Sequence, residues 1–428
     1  MHQLLNRLIS VKATELRMLL WSFSYFFSLL SCYFILRPLR DTMGIAGGVA
    51  NLPWLFTATF LVMLVVVPIY GWLVSKFKRE QFIPYVYAFF IINLGLFWWS
   101  LSSGLMIDLA AKIFFVWLSV FNVFVISVFW SFMIDVWQSD QSKRLFGFIA
   151  AGGTIGTIVG PALTAAISGT IGYEILFLIS AGLLVAATVC VLNINALSQR
   201  QNEDANHKAP EQPTVLHGSM LAGIWEVFQS PYLRKIALFI ILLSLTATIA
   251  YFQQGALISN AFESNDQRTQ VFALVDLSVS VLTLILQLFV VGRLMTFKGL
   301  RSTIIILPLI TAVGFILLAI DPTWLVLAGF QIFRRAAEYG TFAPARENLF
   351  SLTSREEKYK AKNVIDTVIF RGSDVAGGWL YSLLNTSLAL GMASISLIGA
   401  ALAFLWIGLG WNLGNHHDHQ TEKEQDNV

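Results

Sequence analysis

QIFRRAAEYGTFAPARENLFSLTSREEKYKAKNVIDTVIFRGSD, residues 331–374, decides how the chain must be read. Its flanks are apolar enough to lie in a membrane, yet within it stand Arg334, Arg335, Glu338, Arg346, Glu347, Asp366, Arg371 and Asp374. An Arg or Asp at the centre of a spanning helix costs about 2.5–3.5 kcal/mol on insertion scales. A chain that keeps so many must give them partners or a wet cavity to face. The stretch is therefore expected to line the polar path of a membrane transporter.

Composition agrees. Of 428 residues, 56% are hydrophobic and 12% charged, and the mean hydropathy is +0.70. A soluble chain would carry about 25% charged residues. Thirty-four Phe and thirteen Trp suit a lipid-facing surface. The class this predicts is an all-α polytopic membrane protein. Cys32 and Cys190 both fall in apolar runs and read as packing residues, with no disulfide framework or metal site. The N-terminal MHQLLNRLISVKATELRML is polar and basic, and the apolar run after it is long enough to span, so it reads as a signal-anchor with a cytosolic start.

A span needs about 20 apolar residues. Twelve candidates follow: 18–40, 49–75, 82–102, 108–136, 145–168, 173–196, 233–258, 268–292, 301–320, 323–347, 363–387 and 390–413. Basic residues gather after the even-numbered spans: Lys76, Lys78 and Arg79; Lys143 and Arg144; Arg200, Lys208, Arg234 and Lys235; Arg293, Lys298 and Arg301; Arg355, Lys358, Lys360 and Lys362. The opposite loops 102–107 and 169–172 carry no Lys or Arg. This asymmetry puts both termini in the cytosol. The expected organisation is two six-span halves, 1–197 and 233–414, joined by a polar cytosolic linker, 198–232, that contains Pro210 and Pro213, with a disordered tail at 415–428. The tail's His416, His417 and His419 read as solvated residues rather than a metal trap. The turn Gly71-Trp72-Leu73-Val74-Ser75-Lys76-Phe77-Lys78-Arg79 has an echo in Gly292-Arg293-Leu294-Met295-Thr296-Phe297-Lys298, at the matching place of the second half. Six plus six spans with a cytosolic hinge is how many secondary transporters are built.

The basic turn at 71–79 resembles the loop signature of the major facilitator superfamily, with Ser75 where that signature usually has Asp. The run Gly152-Gly153-Thr154-Ile155-Gly156-Thr157-Ile158-Val159-Gly160-Pro161 is similar to the superfamily's glycine–proline motif, and small residues there let helices approach closely. A narrower resemblance is to the ATP/ADP antiporter family. It is carried by Ile35-Leu36-Arg37-Pro38-Leu39-Arg40-Asp41, by Phe129-Trp130-Ser131-Phe132-Met133-Ile134-Asp135 with Lys143-Arg144-Leu145-Phe146-Gly147, and by blocks of the opening stretch, among them Phe342-Ala343-Pro344-Ala345-Arg346-Glu347. The resemblance implies a substrate role for Arg40 and Arg346, which stand where those carriers have functional lysines. The family's glutamates in spans four and seven have no counterpart; the nearest polar residues are Asn122, Gln253 and Gln254.

Spacing adds detail to the charged positions. Arg37, Arg40 and Asp41 share a helix face near the outer end of span one, where Pro38 is expected to bend the chain. Arg334 lies thirteen residues inside Asp321, or about 20 Å, and Arg371 nine residues inside Lys362, or about 13 Å. Both fall near the middle of a core about 30 Å thick. Glu338 is at i+4 from Arg334 and i+3 from Arg335, so one positive charge of span ten is locally surplus; Asp374 is at i+3 from Arg371. Asp276 is the most isolated buried carboxylate, either a coupling site or the partner of an arginine on another span. Asp135 and Asp366 lie near basic loops and suit gating or interfacial pairs, and Tyr251, Gln253 and Gln254 make the outer half of span seven polar.

The expectation is a secondary transporter moving an organic anion, phosphorylated or carboxylated and nucleotide-like solutes included, by alternating access. Arg37, Arg40, Arg334, Arg335, Glu338, Arg346, Arg371 and Asp374 are the candidate substrate contacts, and Asp135, Asp276 and Asp366 the candidate coupling or gating residues. A monomer in the inner membrane is expected, with a small anionic solute and the lipid bilayer as partners, and without cofactor, metal, nucleic acid or catalytic residue. No P-loop, His–Glu–x–x–His or Ser–His–Asp pattern is present. Two alternatives are a proton-coupled exporter of amphipathic molecules and a non-transporting sensor or assembly partner on the same fold.

Overall fold

The computed structural model describes residues 15–76, 79–205, 220–350, 361–362 and 364–426. Phe77 and Lys78 of the basic turn, Lys208, Pro210 and Pro213 of the linker, and Arg355, Lys358 and Lys360 lie outside them.

Helices α1 Leu16–Ala46, α2 Leu52–Lys76, α3 Arg79–Ser103, α4 Ile107–Val136, α5 Ser139–Ser168 and α6 Ile175–Ala205 form the first half of the sequence. A short helix, Met220–Gln229, precedes α7 Pro231–Ala261, α8 Asn265–Phe289 and α9 Val291–Ile320. Two composite rods follow. In α10, residues 324–349, the π turn Glu338–Phe342 joins two α-helical parts, Trp324–Ala337 and Ala343–Leu349. In α11, residues 365–387, the α-helix Phe370–Ser382 runs between the π turns Ile365–Ile369 and Leu383–Ser387. Helix α12, Met392–Asp426, ends the described chain. Ten of these helices are long and apolar enough to cross a membrane; the other two rods are α10 and α11, which hold the charges of residues 331–374.

Local chemistry sets the boundaries. Ser230 caps α7 through the Leu233 amide, with Pro231 at the first helical position. Thr323 caps α10 through the Val326 amide. Gln138 and Gln141 form a reciprocal capping box at α5. Gly299, at φ 71°, breaks α9 internally. Pro38 lies inside α1, as prolines are tolerated where neighbouring helices surround the backbone. One expectation changes. The tail expected to be disordered continues α12 through Asp426, since extending a formed helix avoids the cost of nucleation.

The chain packs as two compact units. The first takes the described residues of Met1–Gly47, Leu61–Thr214 and Glu263–Leu277, and the second those of Gly48–Phe60, Val215–Phe262 and Ser278–Val428. They differ from the sequence halves by an exchange: the start of α2 packs in the second unit and the start of α8 in the first. In the first unit α1 is central. Gly152, Gly156 and Gly160 bring α5 against its backbone, since a methyl on Gly156 would lie 2.8 Å from Phe27 O. Phe26 stacks on Phe129 with centroids 4.0 Å apart, and the Tyr25 and Tyr87 hydroxyls bond each other. In the second unit Phe239, Phe342 and Trp406 pack together from α7, α10 and α12. Large apolar side chains such as Ile92, Leu96 and Trp99 of α3 stay exposed, as contact with lipid requires.

Candidate functional site

The deep charges of α10 and α11 converge on α7. Arg334 Nε donates to Gln331 Oε1 at 3.0 Å and Nη1 to Glu338 Oε2 at 3.1 Å. Gln331 Nε2 in turn donates to Gln254 Oε1 of α7 at 2.8 Å. A buried relay thus runs Gln254–Gln331–Arg334–Glu338, and Arg335 is buried beside it. In α11, Arg371 Nη1 meets Asp374 Oδ2 at 3.4 Å. Asp374 Oδ1 accepts from Ser244 of α7 at 2.7 Å and lies 3.5 Å from the Thr248 hydroxyl. The two charged clusters expected near the midplane therefore both anchor on α7, one through Gln254 and the other through Ser244. Each contains a π turn next to its charges, which changes the phase of the helix at that point. Gly340, in the π turn of α10, lets α8 approach: a methyl there would lie 2.9 Å from Leu286 Cβ. Gln253 of α7 is a packing residue, donating to Ser396 Oγ at 2.9 Å.

The candidates of the first unit form a second cluster. Asp276 of α8 is 2% exposed and pairs with Arg37 of α1 at 3.6 Å. Arg40 pairs with its neighbour Asp41 at 2.7 Å and lies over the Phe115 ring. Asp276 thus has an arginine of another span as its partner. The same α1–α8 seam holds a Thr42–Thr269 hydroxyl contact at 2.9 Å, and Gln270 donates to Ala165 O of α5 at 3.1 Å.

Arg346 and Asp366 do not join the deep clusters. They pair with each other at 3.0 Å, alongside Lys362–Glu347 at 2.6 Å, and so link the end of α10 to the start of α11. Asp135 is exposed at the end of α4.

The Major Facilitator Superfamily profile matches residues 131–265. Among solved structures, a mutant of the nucleoside transporter NupG superposes with a TM-score of 0.70 at 12% identity, over 92% of this chain and 99% of that one. The fold is the major facilitator fold. A bacterial homologue of the iron transporter ferroportin in an inward-facing state gives 0.68 at 13% identity, over 94% and 98%. A POT family transporter in complex with a thioalcohol-conjugated peptide gives 0.65 at 12% identity, over 93% and 96%. No curated protein matches the chain.

Within this major facilitator fold, four contributors are not singled out by sequence reasoning. Gln331 opens the charged stretch, three residues before Arg334. Ser244 and Thr248 stand at i and i+4 of α7, a spacing that marks one polar stripe. Glu15, 4% exposed at its side chain, accepts from Arg144 at 3.1 Å and from Gln141 at 3.1 Å, and thereby fastens α1 to α5. Its signal is the pairing of a lone acidic residue before span one with the basic pair before span five.

Proposed function

We propose that this protein is a secondary transporter of a small organic anion, carboxylated or phosphorylated, working by alternating access. One observation carries the reading: the deep parts of α10 and α11 hold three arginines, Arg334, Arg335 and Arg371, with Glu338 pairing Arg334 and Asp374 pairing Arg371 only at 3.4 Å. Transporters of this fold hold their solutes near the midplane between repeats. A guanidinium fork binds carboxylate or phosphate through two parallel hydrogen bonds. The blocks that resemble the ATP/ADP antiporters support a nucleotide-like member of the same solute class. The Arg37–Asp276 pair is the coupling or gating element in this reading, and Arg346–Asp366 ties the end of α10 to the start of α11. The distribution of Lys and Arg supports an inner-membrane location with both termini cytosolic.

The test is thermal unfolding of purified protein against a panel of nucleotides, organic phosphates, carboxylates, cations and neutral amphiphiles. Stabilisation by at least one anion class is expected, since a ligand that binds the native state raises its stability by mass action. Stabilisation by cations or neutral amphiphiles alone sinks the proposal.

A further inference from the structure

The deep arginines differ in what is left of them for a ligand. Arg334 is 6% exposed and held on two sides, by Gln331 and by Glu338. Arg335 is buried as well. The Arg371 side chain is 37% exposed. Among the described residues, it makes one ion pair, at 3.4 Å to Asp374 Oδ2, and its guanidinium carbon lies 5.8 Å from the Phe370 ring centroid. Close guanidinium–carboxylate bonds are about 2.7–2.9 Å long, so most of this fork's donors are uncommitted. A charge turned toward lipid is strongly unfavourable. The open side of Arg371 therefore faces water.

Asp374 is bonded closely on one oxygen and only at long range on the other. The Ser244 hydroxyl has one proton and two acceptors in reach, Asp374 Oδ1 at 2.7 Å and Phe370 O at 3.2 Å. The nearer and charged acceptor takes it. Oδ1 is thereby fixed to α7, while Oδ2 has the long contact with Arg371. A cationic fork and a carboxylate oxygen, joined by one long contact at 3.4 Å, thus stand side by side with bonding capacity left on each. A bare anion docking on Arg371 brings its charge against Asp374 without relief. An anion with a hydrogen-bond donor beside the charged group satisfies both.

We infer that the transported anion carries a hydroxyl or ammonium on the atom next to its anionic group, with the anionic group on Arg371 and the donor on Asp374 Oδ2. Ser244 is the positioning residue that aims Asp374. The inference rests on the anion-transport reading above and narrows its solute class to α-hydroxy or α-amino acids and their phosphonate counterparts.

The test compares matched probes on wild-type protein by thermal shift and by competition for uptake: malate with succinate, glutamate with glutarate, and 1-aminoethylphosphonate with ethylphosphonate. In at least one pair the donor-bearing member is expected to bind about tenfold to a hundredfold more tightly, the worth of a hydrogen bond to a charged group. The malate arm reports a hydroxyl and the other two an ammonium. Asp374→Asn and Ser244→Ala should shrink the ratio between the members, Ser244→Thr should restore it, and Arg371→Lys should weaken both members alike. If anions bind but both members of every pair bind equally, the inference is overturned and the anion reading stands. If no anion binds, both fall.

Discussion

Breaking the Arg37–Asp276 pair should cost far more than removing it whole. The two charges are 3.6 Å apart, with side-chain exposures of 15% and 2%. At that distance and an effective dielectric constant of about 20, their attraction is about 4–5 kcal/mol, offset in large part by the desolvation of both groups. Asp276→Asn alone leaves Arg37 beside a neutral amide, with its own desolvation unrelieved. The expected loss is about 3 kcal/mol, at the lower end of the range for buried pairs because Arg37 keeps some solvent. Arg37→Met alone leaves a carboxylate buried and should cost about 3–5 kcal/mol. Arg37→Met with Asp276→Leu removes both charges and should recover most of the loss, giving a coupling energy of about 2 kcal/mol or more. The assay is a double-mutant cycle by denaturant or thermal unfolding in one detergent, with uptake measured in parallel. If the pair also gates or couples, the double variant folds yet transports poorly. Singles without effect, or a double whose loss is the sum of the singles, would refute the ion-pair reasoning.

Three further outcomes are expected. Gly156→Val places carbon where a methyl already lies 2.8 Å from Phe27 O and 2.9 Å from Ser31 N, against 3.4 Å for ordinary contact; it should destabilise by about 2–3 kcal/mol, while Gly182→Ala, which meets nothing within 4 Å, should not. Gln331→Leu cuts the Gln254–Gln331–Arg334 relay and leaves the Arg334 Nε donor without its 3.0 Å acceptor; a loss of about 1–3 kcal/mol in thermal unfolding is the expected result. Arg346→Ala should change stability by about 1 kcal/mol or less, because its pair with Asp366 is partly solvated, with exposures of 21% and 29%.

The rods were legible because hydropathy over a span-length window is a bulk property: α4 matches its expected range to within a residue, and α9 ends at Ile320 as expected, although it begins ten residues earlier. The glycine run of α5 was also legible, since small residues at helical spacing need a close partner, and α1 supplies it. Hydropathy does not say which helix a span touches. Hence the exchange of the starts of α2 and α8 between units could not be read, nor the Arg37–Asp276 pair across 239 positions of sequence. The π turns at Glu338–Phe342 and Ile365–Ile369 are set by packing around the rods and leave no periodic trace. The linker was read by its prolines and polar residues, so the helix Met220–Gln229 with its exposed Trp225 and Phe228 went unseen. At the site, i,i+4 and i,i+3 spacing gave Arg334–Glu338 and Arg371–Asp374 directly. It could not give Ser244, because that contact joins different helices.

The most direct test of an anion path through α10 and α11 is counterflow in proteoliposomes. Vesicles are loaded with the anion that best stabilises the purified protein, and uptake of the labelled anion is followed for wild type and for Arg371→Gln, with thermal unfolding confirming that the variant is folded. The account predicts saturable exchange by wild type and its loss in the folded variant. Exchange that is unchanged in Arg371→Gln, or flux of neutral or cationic solutes with none of the anion, would contradict it.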